Sequence, residues 1–211
     1  MRLTVLGATG GIGRHLVAHA LADGHEVTAL VRDPARLPVR DERLTVQRGD
    51  ALDAASVGSV LTGSEAVLSA VGQAGRHDPL RPASSSAAAT VAAMRAAGVR
   101  RYLAVSAAPL QRAGAGVSAL NRLVLNPLLW KVLREVYEDL ERMEAVLRES
   151  GLDWTSVRPP RLTDAAGTGR YRTAVESGPP SNTVARADVA RAMLDMVTRT
   201  ETFGKAVAVS A

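Results

Sequence analysis

The sequence predicts an α/β fold: a Rossmann-type, doubly wound, mostly parallel sheet in a single domain spanning residues 1–211. Three observations predict it. Short apolar strand-like runs alternate with helical patterns along most of the chain, and such alternation implies a parallel sheet joined by right-handed crossovers. The first run, Leu3-Thr4-Val5-Leu6, passes directly into Gly7-Ala8-Thr9-Gly10-Gly11-Ile12-Gly13, which reads as a strand, a tight turn and a helix start. With 211 residues, 46% hydrophobic and 22% charged, the chain is long enough to bury one sizeable core and too short for a second full domain.

Taken in order, strands are expected at Arg2 to Leu6, Glu26 to Val31, Leu44 to Arg48, Ala66 to Val71, Arg101 to Val105, Trp154 to Arg158 and Ala206 to Val209. Between the first two, Ile12, Leu16, Val17, Ala20 and Leu21 form a helical apolar stripe that Gly24 can cap, completing a βαβ unit. A helix of small residues is expected from Ser84 to Ala97, ended by Gly98. It is either a device for close approach to the sheet or simple helix filler. A longer helix should open at Asn126-Pro127 and run to Glu149 before Gly151. Leu129, Val132, Leu133, Val136, Leu140, Met143 and Leu147 would be its buried stripe, with Glu138–Arg142 and Glu144–Arg148 as i,i+4 pairs on a solvated face. The apolar stretch from Leu120 to Leu129 is open to three readings: a lid, a dimer contact or core.

The glycine turn carries the first chemistry. Gly7 permits the tight turn, Gly10 lets the backbone approach a pyrophosphate, and Gly13 lets helix and strand pack closely. A helix opening here would aim its unpaired N–H groups and positive dipole end at phosphates. At the end of the second strand stands Arg32, where an adenine ribose would lie. Its planar fork suits a 2′-phosphate, and Arg36 can assist, which favours NADP(H). Arg32 also has a plainer reading as a solvated arginine before the Asp33-Pro34 turn, and Asp33 keeps NAD(H) open because a carboxylate can accept from ribose hydroxyls. The other functional loops are expected after strand ends, at Asp50 to Leu52, Gly72 to Pro82, Ser106 to Leu110 and Pro159 to Pro180.

Composition excludes several classes. There are no cysteines, which removes disulfides, thiolate catalysis and zinc–thiolate sites and suits a cytoplasmic protein. Met1-Arg2 leads straight into the first strand, and no apolar run reaches the roughly 18 residues of a membrane span, so a soluble, unprocessed chain is expected. The net charge of +5 arises from scattered arginines interleaved with acids rather than a run. With aromatics at 3%, nucleic-acid binding is disfavoured and an anionic cofactor or substrate is favoured. His15 and His19 stand at i,i+4 without a third ligand, so no metal is expected. No Gly-x-Ser-x-Gly elbow or Ser/His/Asp set is present.

Several spaced motifs then stand in a familiar order: Gly7-Ala8-Thr9-Gly10 with Gly13, Val31-Arg32-Asp33, Gly49-Asp50-Ala51-Leu52, Val105-Ser106-Ala107, and Leu147 to Trp154 leading into Val157-Arg158-Pro159-Pro160. Together they resemble the atypical short-chain dehydrogenase/reductase group of NAD(P)H-binding, NmrA-like proteins, nearest the flavin reductase and biliverdin-IXβ reductase branch, over almost the whole chain. The resemblance implies that Gly7, Ala8, Thr9, Gly10, Gly11, Ile12 and Gly13 line the diphosphate, that Arg32 and Arg36 take the 2′-phosphate, and that Asp50 and Ala51 approach the adenine. It further implies that Ala70, Val71 and Gly72 run under the nicotinamide ribose, that Ser106 faces the nicotinamide, and that Pro159 and Pro160 border the substrate mouth. A Pro-Pro pair is equally a stiff exit from a strand.

One departure bears on mechanism. Short-chain dehydrogenases typically use a Tyr-x-x-x-Lys pair as acid and base. Here Tyr137 is followed four residues later by Glu141, and the only lysines are Lys131 and Lys205. Aligning Glu144 to Gly151 with the family places Val136 and Leu140 at the pair's positions, with Tyr137 one residue off and so rotated by roughly 100° around the helix. The usual proton donor for a ketone or alcohol is therefore missing. Flavins and linear tetrapyrroles accept hydride into an extended conjugated system, where positioning carries most of the rate. The expectation is hydride transfer from NADPH to a loosely bound flavin or similar small molecule. The proton would come from water or from Ser106, unless that serine is merely a strand-end hydrogen-bonding residue. The alternative is a non-catalytic dinucleotide sensor acting through a protein partner; a sugar epimerase is disfavoured by the same missing pair. A monomer or homodimer is expected.

Overall fold

The structure is a computed structural model that describes the chain except for residues 74, 76, 111–129 and 180. Its centre is an eight-stranded sheet built from β1 (Arg2–Leu6), β2 (Glu26–Val31), β3 (Leu44–Arg48), β4 (Ala66–Ser69), β5 (Arg101–Val105), β6 (Asp153–Arg158), β8 (Arg172–Val175) and β10 (Lys205–Ser210), in the order β3-β2-β1-β4-β5-β6-β10-β8. All pairs are parallel except β10–β8 at one edge. A separate parallel pair joins β7 (Arg161–Thr163) to β9 (Thr183–Ala185). The chain thus has the doubly wound, Rossmann-like architecture expected, and the strand order reverses between β1 and β4.

The buried strands carry apolar side chains on both sides because helices cover both faces. On one face α1 (Gly11–Ala22) and α5 (Arg186–Asp195) pack together over Leu3, Val5, Val27, Ala29, Leu103, Val157 and Val207. On the other, α2 (Ala54–Gly58), α3 (Pro82–Ala97) and α4 (Arg134–Glu149) cover Leu6, Leu30, Val67, Tyr102, Ala104 and Trp154. The small residues of α3 serve close packing: Ala83, Ala87, Ala89 and Ala93 are all buried. Asp139, itself buried on α4, accepts hydrogen bonds from the backbone N–H groups of Ala83 and Ser84 at 3.0 Å each. It caps the orphan donors at the start of α3, a task the residue preceding that helix, Arg81, leaves undone.

Several expectations shift. Helix α3 opens two residues early, on Pro82, whose fixed φ suits a first helical position, and β4 stops at Ser69. The segment from Pro159 to Pro180 is no simple loop, since β7 and β8 lie within it; their runs of three and four residues are too short and polar to show periodicity. Helix α4 begins at Arg134 after a break at Leu133. Asn126 to Leu129, and with them the start foreseen at Asn126-Pro127 and the stretch from Leu120, lie outside the described residues. Val132, assigned to the buried stripe, is 46% exposed, because it precedes that break and is out of phase with the helix proper. Glu144 departs most, and its surroundings belong to the site.

Candidate functional site

Register assembles the site. Leu6 pairs level with Leu30 and Ser69, Ser69 with Ala104, and Val105 with Val157. The residues leaving the sheet next, Gly7, Arg32, Ala70 to Gly72, Ser106 and Pro159-Pro160, therefore emerge side by side at the carboxyl end, where an open α/β sheet has its crevice.

The turn after β1 is built around two missing side chains. Gly7 has φ +74°, and a Cβ there would stand 2.7 Å from the carbonyl carbon and oxygen of Ala70. At Gly13 a Cβ would lie 2.1 Å from the Gly7 carbonyl oxygen. The Gly10 N–H donates to that same oxygen at 2.9 Å, and the Arg14 N–H to Gly10 at 3.0 Å. Ala8 and Ile12 turn their side chains into the core, so they offer only backbone. No side chain caps α1, and its first turn holds no acidic residue. The positive end of this helix is left for an external anion.

At the end of β2, Arg32 and Arg36 are both exposed. Arg14, which sequence reasoning missed, reaches them from α1: its Nη2 donates to the Arg36 carbonyl at 3.4 Å. A helix-surface arginine one residue past the last glycine carries no signal by itself; only the fold of the Pro34–Arg36 turn back toward α1 reveals it. Asp33 accepts from the Ala35 N–H at 3.1 Å and caps that turn, so its carboxylate is partly committed. The Gly49 N–H donates to Val31 at 2.9 Å, which sets Asp50 and Ala51 beside the end of β2. The Asp50 carboxylate there accepts from the Leu52 N–H at 3.0 Å.

Across the crevice, Ser106 donates its hydroxyl hydrogen to Glu144 Oε1 at 2.8 Å, and its backbone N–H donates to Val157 at 2.7 Å. Glu144 is 3% exposed, not on the solvated face assigned to it. Its carboxylate also accepts from Ser156 Oγ at 2.7 Å and from Arg158 Nε at 2.8 Å and Nη2 at 2.5 Å. Burial alone would raise its pKa; the hydrogen bonds and charge of Arg158, with the two serine hydroxyls, outweigh that and hold it below the ordinary carboxylate value. The i,i+4 partner Arg148 lies at 3.5 Å and is itself exposed, so the pair straddles the helix boundary. Pro159 is buried and its carbonyl accepts from the Ala108 N–H at 2.9 Å, which braces the loop carrying Ser106; Pro160 is half-buried beside it.

Val136 and Leu140 pack into the α4-side core, and Tyr137 is buried there against Trp130, with ring centroids 5.1 Å apart. Burial raises the Tyr137 hydroxyl's pKa, the opposite of what an acid–base tyrosine needs. His15 and His19 stack at 6.0 Å. Among the described residues no three His, Asp or Glu side chains group as a metal site.

A nicotinamide dinucleotide fits these residues: a glycine cradle that a Cβ would fill, an uncapped helix N-terminus and the arginines Arg14, Arg32 and Arg36 about the end of β2. Comparison with known proteins agrees. Residues 7–200 match the model of the NAD(P)H-binding family, and the chain belongs to that family. It is 33% identical to the (4-alkanoyl-5-oxo-2,5-dihydrofuran-3-yl)methyl phosphate reductase of Streptomyces griseus over 74% of this chain and 46% of that protein. It is 41% identical to the 3-diazoavenalumate denitrifying reductase of a Streptomyces species over 51% of this chain and 38% of that one. The chain spans less than half the length of these curated relatives. Among solved structures, a short-chain dehydrogenase/reductase of Veillonella parvula in complex with NADP superposes with TM-score 0.84 at 24% identity, covering 100% of this chain and 94% of that one. A Streptococcus pneumoniae protein provisionally named an NADH-flavin reductase gives TM-score 0.78 at 24% identity, covering 100% and 99%.

Proposed function

We propose that the protein is an NADPH-dependent reductase that passes hydride to a flavin or a similar conjugated small molecule. The observation that carries this reading is the asymmetry of the crevice. One side offers a glycine cradle, an uncapped helix end and arginines suited to a dinucleotide, while the helix that would carry an acid–base pair presents Val136, Leu140 and a core-packed Tyr137. NADPH supplies the hydride when bound; the glycine turn and α1 hold its phosphates, and the three arginines favour the 2′-phosphate. The reductase relatives support reduction as the reaction class, and the choice of acceptor rests on the missing acid–base pair. Among the described residues no helix is long and apolar enough to cross a membrane.

Turnover of NADPH and NADH, each with and without FMN, tests the reading. NADPH oxidation should depend on the flavin, and Arg32→Ala should weaken NADPH by about tenfold or more, the loss of a charge-assisted phosphate contact, while leaving NADH nearly unchanged. Tight dinucleotide binding with no turnover on any conjugated acceptor would instead describe a non-catalytic sensor.

Ser106 donates its hydrogen to an ionised carboxylate, so what its oxygen has left to offer is lone pairs. It serves to accept a hydrogen bond in the crevice, and water supplies the proton. Ser106→Ala should lower kcat by less than about tenfold, short of the roughly hundredfold or more that a general acid contributes. A loss of that larger size in steady-state assays would make Ser106 the proton donor.

A further inference from the structure

Gly11 is not one of the three spaced glycines of the turn, yet a Cβ on it would stand 2.6 Å from Arg186 Cδ and 2.8 Å from Arg186 Nε. The arginine side chain lies directly across the N-terminus of α1. Topology brings it there. Strands β7 and β9 pair with Thr163 level with Ala185, so the residues that follow, Asp164 and Arg186, come together, and Arg186 opens α5, which packs along α1. Arg186 Nη1 contacts Asp164 Oδ1 at 2.5 Å.

That ion pair is loosely held, since the Asp164 side chain is 89% exposed and the Arg186 side chain 29%, and water screens such pairs. The guanidinium thus sits over an uncapped helix end that is itself positive, balanced only by an exposed surface carboxylate. Two positive features converging on one point call for a shared anion. A diphosphate offers what Asp164 offers, a fork of oxygens for a planar guanidinium, with more charge and with contacts to the helix N–H groups as well.

We propose that Arg186 is a cofactor-binding residue that closes over the dinucleotide's diphosphate, exchanging the Asp164 carboxylate for phosphate oxygens when the cofactor binds. This rests on the dinucleotide reading of the glycine turn. Asp164 is then a competitor that holds the arginine in place while the site is empty.

Binding by titration calorimetry of NADPH and of adenosine 2′-monophosphate, which carries the 2′-phosphate but no diphosphate, tests it on the full chain. Arg186→Ala should weaken NADPH about tenfold or more and leave adenosine 2′-monophosphate within about twofold, while Arg186→Lys should recover part of the loss. Asp164→Asn should tighten NADPH by about two- to threefold, the removal of a weak surface competitor. Unchanged NADPH affinity in Arg186→Ala, equal losses for both ligands, or weaker NADPH binding in Asp164→Asn would each overturn the proposal. Wild-type protein that binds neither ligand would overturn the dinucleotide reading itself, an outcome separate from any seen only in the variants.

Discussion

Gly13→Ala is expected to cripple both folding and cofactor binding. The added methyl would lie 2.1 Å from the Gly7 carbonyl oxygen and 2.8 Å from the Ala8 Cα, and both are backbone atoms that no rotamer change can move. Relief would require α1 to lift from the sheet, but Leu16, Val17 and Ala20 on the same helix are fully buried and resist that shift. The overpacking should cost about 3 kcal/mol, a fall in Tm on the order of 10 °C for a chain of this size. Displacing the helix N-terminus from the turn should also weaken NADPH by about tenfold or more, the loss of backbone N–H contacts to a charged phosphate. Gly72→Ala is the stability control, since a Cβ there meets nothing within 4 Å; its Tm should match wild type. A Gly13→Ala protein with wild-type Tm and affinity would show that the turn is not packed as described.

Glu144→Ala should destabilise the protein by about 3–5 kcal/mol, the usual cost of removing one partner of a buried ion pair. The carboxylate accepts from Arg158, Ser106 and Ser156, and a methyl takes that acceptor from two buried serine hydroxyls and a part-buried guanidinium. Glu144→Gln keeps the shape, loses the charge and should cost less. The pH dependence follows from the depressed pKa. A carboxylate held below its ordinary value of 4.5 adds stability that is fully present above 4.5 and is lost as the pH falls through the depressed folded value. Urea unfolding of wild type and Glu144→Gln should therefore differ most at neutral pH and converge well below 4.5. A gap that stays constant on acidification would mean the ionised carboxylate is not what stabilises this corner.

Much of the site was legible because it is local. Gly7 to Gly13, the strand before them and the stripe after them fall within one βαβ unit, where spacing maps directly onto geometry. Alternation and handedness predicted a doubly wound parallel sheet, and the order the structure adopts brings Arg32, Ala70, Ser106 and Pro159 to one end of it. What stayed hidden depends on tertiary neighbours. Glu144 and Arg148 have the spacing of a surface pair, and only the approach of β6, carrying Ser156 and Arg158, turns Glu144 into a buried acceptor. Neither Arg14 nor Arg186 carries a signal in the sequence; the first gains meaning from the turn at Pro34 and the second from a parallel pairing of strands too short to register in the sequence. The missing Tyr-x-x-x-Lys pair was legible from the outset, and the packing of Tyr137 against Trp130 explains physically why that tyrosine has no part in the crevice.

On the proposed reading, this crevice moves hydride from NADPH to a conjugated acceptor without a protein acid. Stopped-flow mixing of NADPH with the protein and FMN, with oxygen excluded, measures it directly. Reduced-nicotinamide absorbance and oxidised-flavin absorbance should fall together at one protein-dependent rate, which is lost in Gly13→Ala and retained within about tenfold in Ser106→Ala. NADPH that binds tightly while neither absorbance changes, with FMN or any other conjugated acceptor, would contradict it.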